Sequence, residues 1–173
     1  MRPYPEYLVR SVRLADGATI VIRPITPDDA AIEQEFVRNL SVESRYFRFM
    51  EPLRELSPRM LSHFTQVDYD RHMALVAVTP CGDTQVGVAR YIVAPDSVSC
   101  EFAVVVADGW QRRGVGMLLM DALMDAARER GLRRMYGDVL AANQKMLALT
   151  RRLGFRIGRH EDDPRLVRVE ALL

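Results

Sequence analysis

Residues 111–116 read Gln111-Arg112-Arg113-Gly114-Val115-Gly116, and this short stretch organises the reading of the whole chain. It follows the apolar run Phe102-Ala103-Val104-Val105-Val106 and opens a long amphipathic segment that starts at Val115. A strand, a basic turn with glycines and a helix start together make a phosphate cradle. The N–H groups of a first helical turn have no intrahelical partner, and the helix dipole favours an anion beside them. Gly114 and Gly116 let the backbone come close to a ligand, and Arg112 and Arg113 bring charge that suits phosphate oxygens.

Spacing narrows the ligand. A P-loop needs glycine, four residues and then Gly-Lys-Ser/Thr, a run this chain lacks. The dinucleotide fingerprint needs a third glycine where Leu119 stands. What remains is Gln-x-x-Gly-x-Gly.

Working outward, apolar positions Leu118, Leu119, Ala122, Leu123, Ala126 and Ala127 predict a helix from Val115, capped at its C-terminal end by Gly131. Upstream, Val9 to Leu14 and Ala18 to Arg23 flank Ala15-Asp16-Gly17 as a β-hairpin. Thr26 is a candidate N-cap for a helix through about Arg38, Ser41 with Ser44 opens a second helix, and Ser57-Pro58 a third. Strands are predicted at Met73 to Val78, Gln85 to Val93 and Val98 to Val106. Downstream come a strand at Arg134 to Leu140, a helix from Ala142 to Leu153 closed by Gly154, and strands at Phe155 to His160 and Leu166 to Leu172. No linker, repeat or low-complexity stretch interrupts this order, which is mixed α+β.

The 173 residues fit one domain, 1–173 with a core of about 9–173. A hydrophobic share of 49% and a charged share of 27% are ordinary for a soluble globular chain, and a net charge of +1 gives no reason to invoke nucleic acid or an anionic membrane. Cys81 and Cys100 make neither a metal motif nor a disulfide framework. The opening residues lack the apolar region of a signal peptide, and no run approaches the ~20 apolar residues of a membrane span. A cytoplasmic setting is expected. His63, His72 and His160 have no ligand spacing, so no metal is expected. Met117, Met120 and Met124 recur at helical spacing and read as core. Lys145 is the only lysine among 24 basic residues.

Several segments in this order resemble the GNAT superfamily of N-acetyltransferases, over nearly the whole chain. Closer still is the acetyltransferase domain of bacterial protein lysine acetyltransferases. The segments are Ile22-Arg23-Pro24-Ile25, Ser44-Arg45-Tyr46-Phe47-Arg48-Phe49, Gln66 to Asp70, Met73 to Ala77, Glu101 to Val106, Trp110 to Gly116 and Leu153-Gly154-Phe155. The resemblance implies a strongly bent mixed β-sheet flanked by helices, with central strands 98–106 and 134–140 splayed apart. Acetyl-CoA would lie in the gap as cosubstrate. Its pantetheine arm would pair with main-chain groups of Val104 and Val106, and its pyrophosphate would rest on Gln111, Arg112, Arg113, Gly114, Val115 and Gly116. Asn143 matches an asparagine that contacts the pantetheine or phosphate part, and it reads equally well as the N-cap of the following helix.

Acetyl transfer to an amine needs a base, because a lysine with pKa near ~10.4 is protonated at neutral pH. Glu101, at the start of the central strand where the family places a glutamate, is the expected catalytic base, directly or through water. Its apolar neighbours would raise its pKa toward the working range. The competing reading is a solvated glutamate or one paired with an arginine. The family's usual tyrosine acid falls at Thr150, so no side-chain acid is assigned. Asp68, Tyr69 and Asp70 stand where an acceptor entrance is expected, or form a solvated turn. The acceptor is a protein lysine or a small-molecule amine; a non-catalytic acyl-CoA sensor is the reading from another class, and a homodimer is left open.

Overall fold

The computed structural model describes all residues, 1–173. Its eight strands form a single sheet in the order β1-β2-β3-β4-β5-β6-β8-β7: β1 Arg10–Arg13, β2 Thr19–Pro24, β3 His72–Val78, β4 Gln85–Val93, β5 Ser99–Val106, β6 Arg134–Leu140, β7 Arg156–Arg159 and β8 Leu166–Leu172. Neighbours run antiparallel throughout, with one exception: β5 and β6 are parallel. The connection between these two is the helix α4, Val115–Glu129, and a parallel pair requires a crossover of that kind.

Pairing between β5 and β6 covers only Ser99↔Arg134, Cys100↔Met135 and Glu101↔Tyr136. Beyond Glu101 the strands part. β5 stays paired with β4 as far as Val106↔Gly87, and β6 stays paired with β8 as far as Leu140↔Leu166. The splay expected of the two central strands is therefore present, and it begins at the residue after Glu101.

Helices cover the sheet unequally. Helix α4 packs on β3, β4 and β5, and Leu119, Met120 and Leu123 there are fully buried with Ile20, Ile22, Leu75 and Met135 in the larger core. On the other face lie α1 Ala30–Asn39, α2 Val42–Phe49 and α3 Pro58–Thr65, over a smaller core of Phe36, Val37, Leu56, Ala74, Val76 and Val105. α5, Gln144–Arg152, joins the larger core through Leu147. No helix is long and apolar enough to cross a membrane.

A charged pair is buried within the smaller core. Arg90 on β4 meets Glu33 on α1 at 3.3 Å, with 4% and 2% of the residues exposed. Gln85 Nε2 donates to the other Glu33 oxygen at 2.6 Å, and Arg90 also donates to the Phe64 carbonyl. His72 beside them is pushed down to about 3 by burial, with the Arg90 charge adding to it, so its ring is neutral. Breaking such a pair leaves a charge unmatched in the interior, at a cost of about 3–5 kcal/mol.

Element boundaries follow local chemistry. A 3-10 turn at Pro27–Asp29 precedes α1, held by a capping box between Thr26 and Asp29. α5 begins at Gln144 rather than Ala142 because the Asn143 side chain accepts the Met146 N–H at 3.2 Å. Beyond the end of α4, Arg130 reaches Asp70 at 2.6 Å and Arg134 reaches Glu170 at 2.9 Å.

Candidate active site

The parting of β5 and β6 opens a cleft of about 560 Å³, lined by Phe102 to Val106, by Gly137, Asp138 and Val139 of β6, and by parts of α2, α5 and the 111–117 loop. Strand register fixes which groups face it. Ala107 N bonds Val86 O at 2.8 Å and Ala94 N bonds Ser99 O at 2.8 Å, so odd-numbered residues of β5 spend their main-chain groups on β4. Even-numbered residues turn theirs toward β6. From Phe102 onward β6 has moved away, which leaves the main-chain groups of Val104 and Val106 directed at the cleft. The Val106 carbonyl takes one bond there, from Gln111 Nε2 at 3.1 Å.

The 111–116 loop sits at one end of this cleft. Arg112 has φ +61° and Gly114 φ +89°, so the chain turns left-handed twice within three residues before α4 starts. The first helical bond runs from Leu118 N to Gly114 O, and no side chain caps the helix. The N–H groups of Val115, Gly116 and Met117 are therefore free for an anion. A β-carbon on Gly114 would meet nothing, so glycine is needed there for its φ alone. On Gly116 it would lie 3.4 Å from Leu149 and 3.6 Å from Val106, ordinary contact distances, so packing does not demand glycine there.

The two arginines of the loop have separate fates. Arg112 lines the cleft. Arg113 turns away, pairs with Asp16 of the β1–β2 turn at 2.5 Å and stacks on the Trp110 ring at 4.0 Å. The Val115 side chain is core; only its main chain is near the cleft. Gln111 spans the loop, donating to Ser44 Oγ and Val106 O while Lys145 Nζ donates to its Oε1 at 3.0 Å. Asn143 serves as the N-cap of α5 and lines the cleft as well, so its two readings coexist.

Glu101 stands at the other end, one residue before the cleft lining begins. It makes no ion pair, which removes the reading in which an arginine neutralises it. The side chain is open to solvent, yet the protein around it excludes enough water that burial pushes its carboxyl above the ordinary range. Asp138 adds to that shift, while Arg168 and Arg48 oppose it. Asp138 is held by Arg168 at 2.6 Å, and the Arg168 guanidinium lies over the Tyr136 ring at 4.8 Å.

Other expectations are placed away from the cleft. Thr150 is fully buried and donates to the Leu147 carbonyl. Asp68 accepts three main-chain N–H groups, from Asp70, Arg71 and His72; Tyr69 donates to the Ile25 carbonyl; Asp70 is bound by Arg2 and Arg130. These three build the turn into β3 and do not reach the cleft. His63 stacks on His72, and His160 Nδ1 accepts from Asp162 and Asp163 N–H, so both are structural.

Two features escaped the sequence reading. Asp108, just after β5, accepts from Ser41 N, Ser41 Oγ and Ser44 Oγ at 2.8–2.9 Å and so ties the start of α2 to the cleft. On α2, Ser44, Phe47 and Arg48 recur at i, i+3 and i+4 and face the cleft together. That spacing was readable in the sequence; the partner of Asp108, more than sixty residues away, was not.

The model of the acetyltransferase (GNAT) family matches residues 35–155. An acetyltransferase of Pseudomonas aeruginosa is 40% identical over 152 residues, covering 87% of this chain and 82% of that protein. Acetyltransferase Pat of Mycolicibacterium smegmatis is 29% identical over 83% of this chain, which spans only 43% of Pat. Among solved structures, the GNAT domain of S. lividans PAT superposes with a TM-score of 0.92 at 33% identity, covering 99% of this chain and 100% of that one.

Proposed function

This chain belongs to the GNAT family of acetyltransferases, and from that premise we propose that it transfers the acetyl group of acetyl-CoA to a lysine ε-amine of a protein, with Glu101 as general base. Acetyl-CoA is the family's cosubstrate, and it supplies the acetyl group as an activated thioester. The residues present fit it. Free N–H groups at the start of α4 and the Arg112 charge suit the pyrophosphate, and main-chain groups of Val104 and Val106 suit the pantetheine amides. Gln111, Gly114, Gly116 and Asn143 complete the wall, and Arg113 acts through the loop's shape rather than by contact.

The observation that carries the reading is the unpaired Glu101 carboxyl at the point where β5 and β6 part. A carboxylate in that position takes a proton from the acceptor ammonium, directly or through water, and the raised pKa makes it a better proton acceptor than an ordinary glutamate. The acceptor amine then attacks the thioester carbonyl. The departing thiol, with pKa near ~8.5, needs little help, which suits a site without a tyrosine acid.

A protein acceptor is supported by the open sheet face beside Glu101. On β6 and β8, Met135, Gly137, Val139 and Val169 are buried, while Tyr136, Asp138, Arg168 and Glu170 on the opposite face stay half-exposed. Directly opposed residues share a face, so Glu101, Tyr136 and Glu170 form one row across three strands. An exposed row of charged and aromatic side chains beside the base suits the surface of a protein acceptor, which can engage several of them at once. Thiol release from acetyl-CoA, measured with lysine-bearing proteins and with small amines, tests this. Release confined to proteins supports the reading, and release only with small amines replaces it. Binding of CoA with no release from any acceptor favours a sensor role.

A further inference from the structure

The arginines of α2 do different work. Arg45 donates to the main-chain oxygens of Arg38 and Leu40 and so closes the end of α1. Arg48, one turn away, lines the cleft and has no such employment. Its guanidinium makes no hydrogen bond within the chain and lies within 4 Å of no carboxylate. It rests on the Phe49 ring at 4.8 Å, with the Phe64 ring at 5.7 Å. Arg90 lies over the same Phe64 ring at 4.4 Å, and its charge is already matched by Glu33. Arg48 is thus the unmatched cation at this end of the cleft. Burial, with the Arg90 charge, pushes its pKa down to about 10, which still leaves it cationic at neutral pH.

A guanidinium fixed on aromatic faces, half-buried and with its donors free, is a fork for a planar anion. The N–H groups that suit phosphate lie at the start of α4, whereas Arg48 is near enough to Glu101 for each charge to act on the other, so the anion met here is one carried by the acyl group or by the acceptor. Glu101 does not fill the role, since it makes no ion pair and turns neutral each time it accepts a proton.

Building on the acetyltransferase reading, we infer that Arg48 is a carboxylate-recognition point of the cleft. It takes either the terminal carboxylate of a dicarboxylic acyl group carried by CoA or an acidic side chain next to the reacting lysine of the acceptor. The transfer is unchanged by either source: Glu101 takes the proton of the acceptor ammonium, the N–C amide bond forms, the C–S bond breaks with its electron pair going to sulfur, and the proton that nitrogen sheds after attack goes to the thiolate. Arg48 contributes binding and orientation, not proton transfer.

Calorimetric titration separates the two sources without requiring turnover. One arm compares succinyl-CoA with acetyl-CoA. The other adds, to the protein saturated with CoA, lysine peptides flanked by glutamate or by glutamine. Wild type is expected to favour the carboxylate-bearing member of one pair by roughly tenfold or more, and Arg48→Met to bring that ratio close to one. Arg48→Gln, which keeps length and polarity without the charge, gives the same reading should the methionine variant not fold. The inference is overturned if wild type shows no preference in either pair, or if the variants weaken both members of a pair equally. Thiol release by wild type, followed separately, reports on the acetyltransferase reading, so the two can fail independently.

Discussion

The ring of Phe102 on β5 lies directly over Gly137 on β6: a β-carbon added to Gly137 would fall 2.8 Å from Phe102 Cε1 and 3.1 Å from Cδ1. These two residues belong to the strands that part after Glu101, so the ring wedges the opening while the missing side chain makes room for it. Phe102 is held in turn by an edge contact with Phe155 at 5.2 Å between ring centroids.

Gly137→Ala should therefore displace the ring or the strand, costing about 1–3 kcal/mol. Phe102→Leu should recover part of that loss when the two changes are combined. Thermal melting of the four species gives the coupling; strict additivity would mean the ring does not depend on the glycine.

Glu101→Gln should lower turnover by roughly 10²–10⁴-fold while leaving CoA affinity near wild type. The base works only when ionised, so activity should rise with pH through its raised pKa, and the acid limb of kcat/KM should lie above the ordinary carboxylate value of ~4.3. Because Asp138 contributes to the rise, Asp138→Asn should move that limb down. The sign for stability is opposite in sense. A carboxyl with a raised folded-state pKa stabilises the fold only at low pH, and that contribution is lost as pH climbs through the raised value. Glu101→Gln should thus melt no lower than wild type at neutral pH.

Gly114→Ala places a β-carbon on a residue at φ +89°, at a conformational cost of about 1–2 kcal/mol. No protein atom obstructs it, so the fold should survive and the turn should shift. Weakened CoA binding with a melting temperature lower by roughly 2–8 °C is expected. Equal affinity would remove the loop from the cofactor site.

Asp108→Asn should loosen the start of α2. Burial alone would raise the Asp108 carboxyl, but the hydrogen bonds from Ser41 and Ser44 outweigh it and hold the pKa below the usual range. Such a group stabilises above the unfolded pKa and loses that contribution as pH falls through the folded one. The difference in melting temperature between wild type and variant should be clear at neutral pH and fade in acid. A pH-independent difference would show that charge is not the cause.

With one lysine in the chain, self-acetylation of a side-chain amine has a single site. Lys145 lines the cleft and donates to Gln111, so incubation with acetyl-CoA should add at most one acetyl group to a side-chain amine by intact mass, located by peptide mapping at Lys145 and distinguished from the N-terminal amine. An acetyl group mapped outside the Lys145 peptide and the N-terminus would sit on oxygen or sulfur and would overturn Lys145 as the self-acetylation site.

Periodicity and turn chemistry made the elements readable, because each depends on neighbours a few residues apart. The parting of the two central strands came from the resemblance. What resisted was long-range pairing. Arg112 and Arg113 are adjacent and chemically alike, yet Asp16, nearly a hundred residues earlier, draws one of them out of the cleft. Asp68 and Asp70 looked available for a cationic acceptor because nothing local announces the three amides and two guanidinium groups that occupy them. The Glu33–Arg90 pair was equally invisible, as charge in a sequence reads as surface until a partner is found.

The cleft edge of β5 has a consequence for how such a chain changes over time. What Val104 and Val106 present there are amide and carbonyl groups, the same whichever side chain stands at those positions. Only proline deletes an N–H, so most substitutions leave the row of donors and acceptors untouched as long as the strand stays extended. Inheritance here acts on shape rather than on letters, and a descendant can exchange most of its identities along this strand while keeping the same handhold for a ligand.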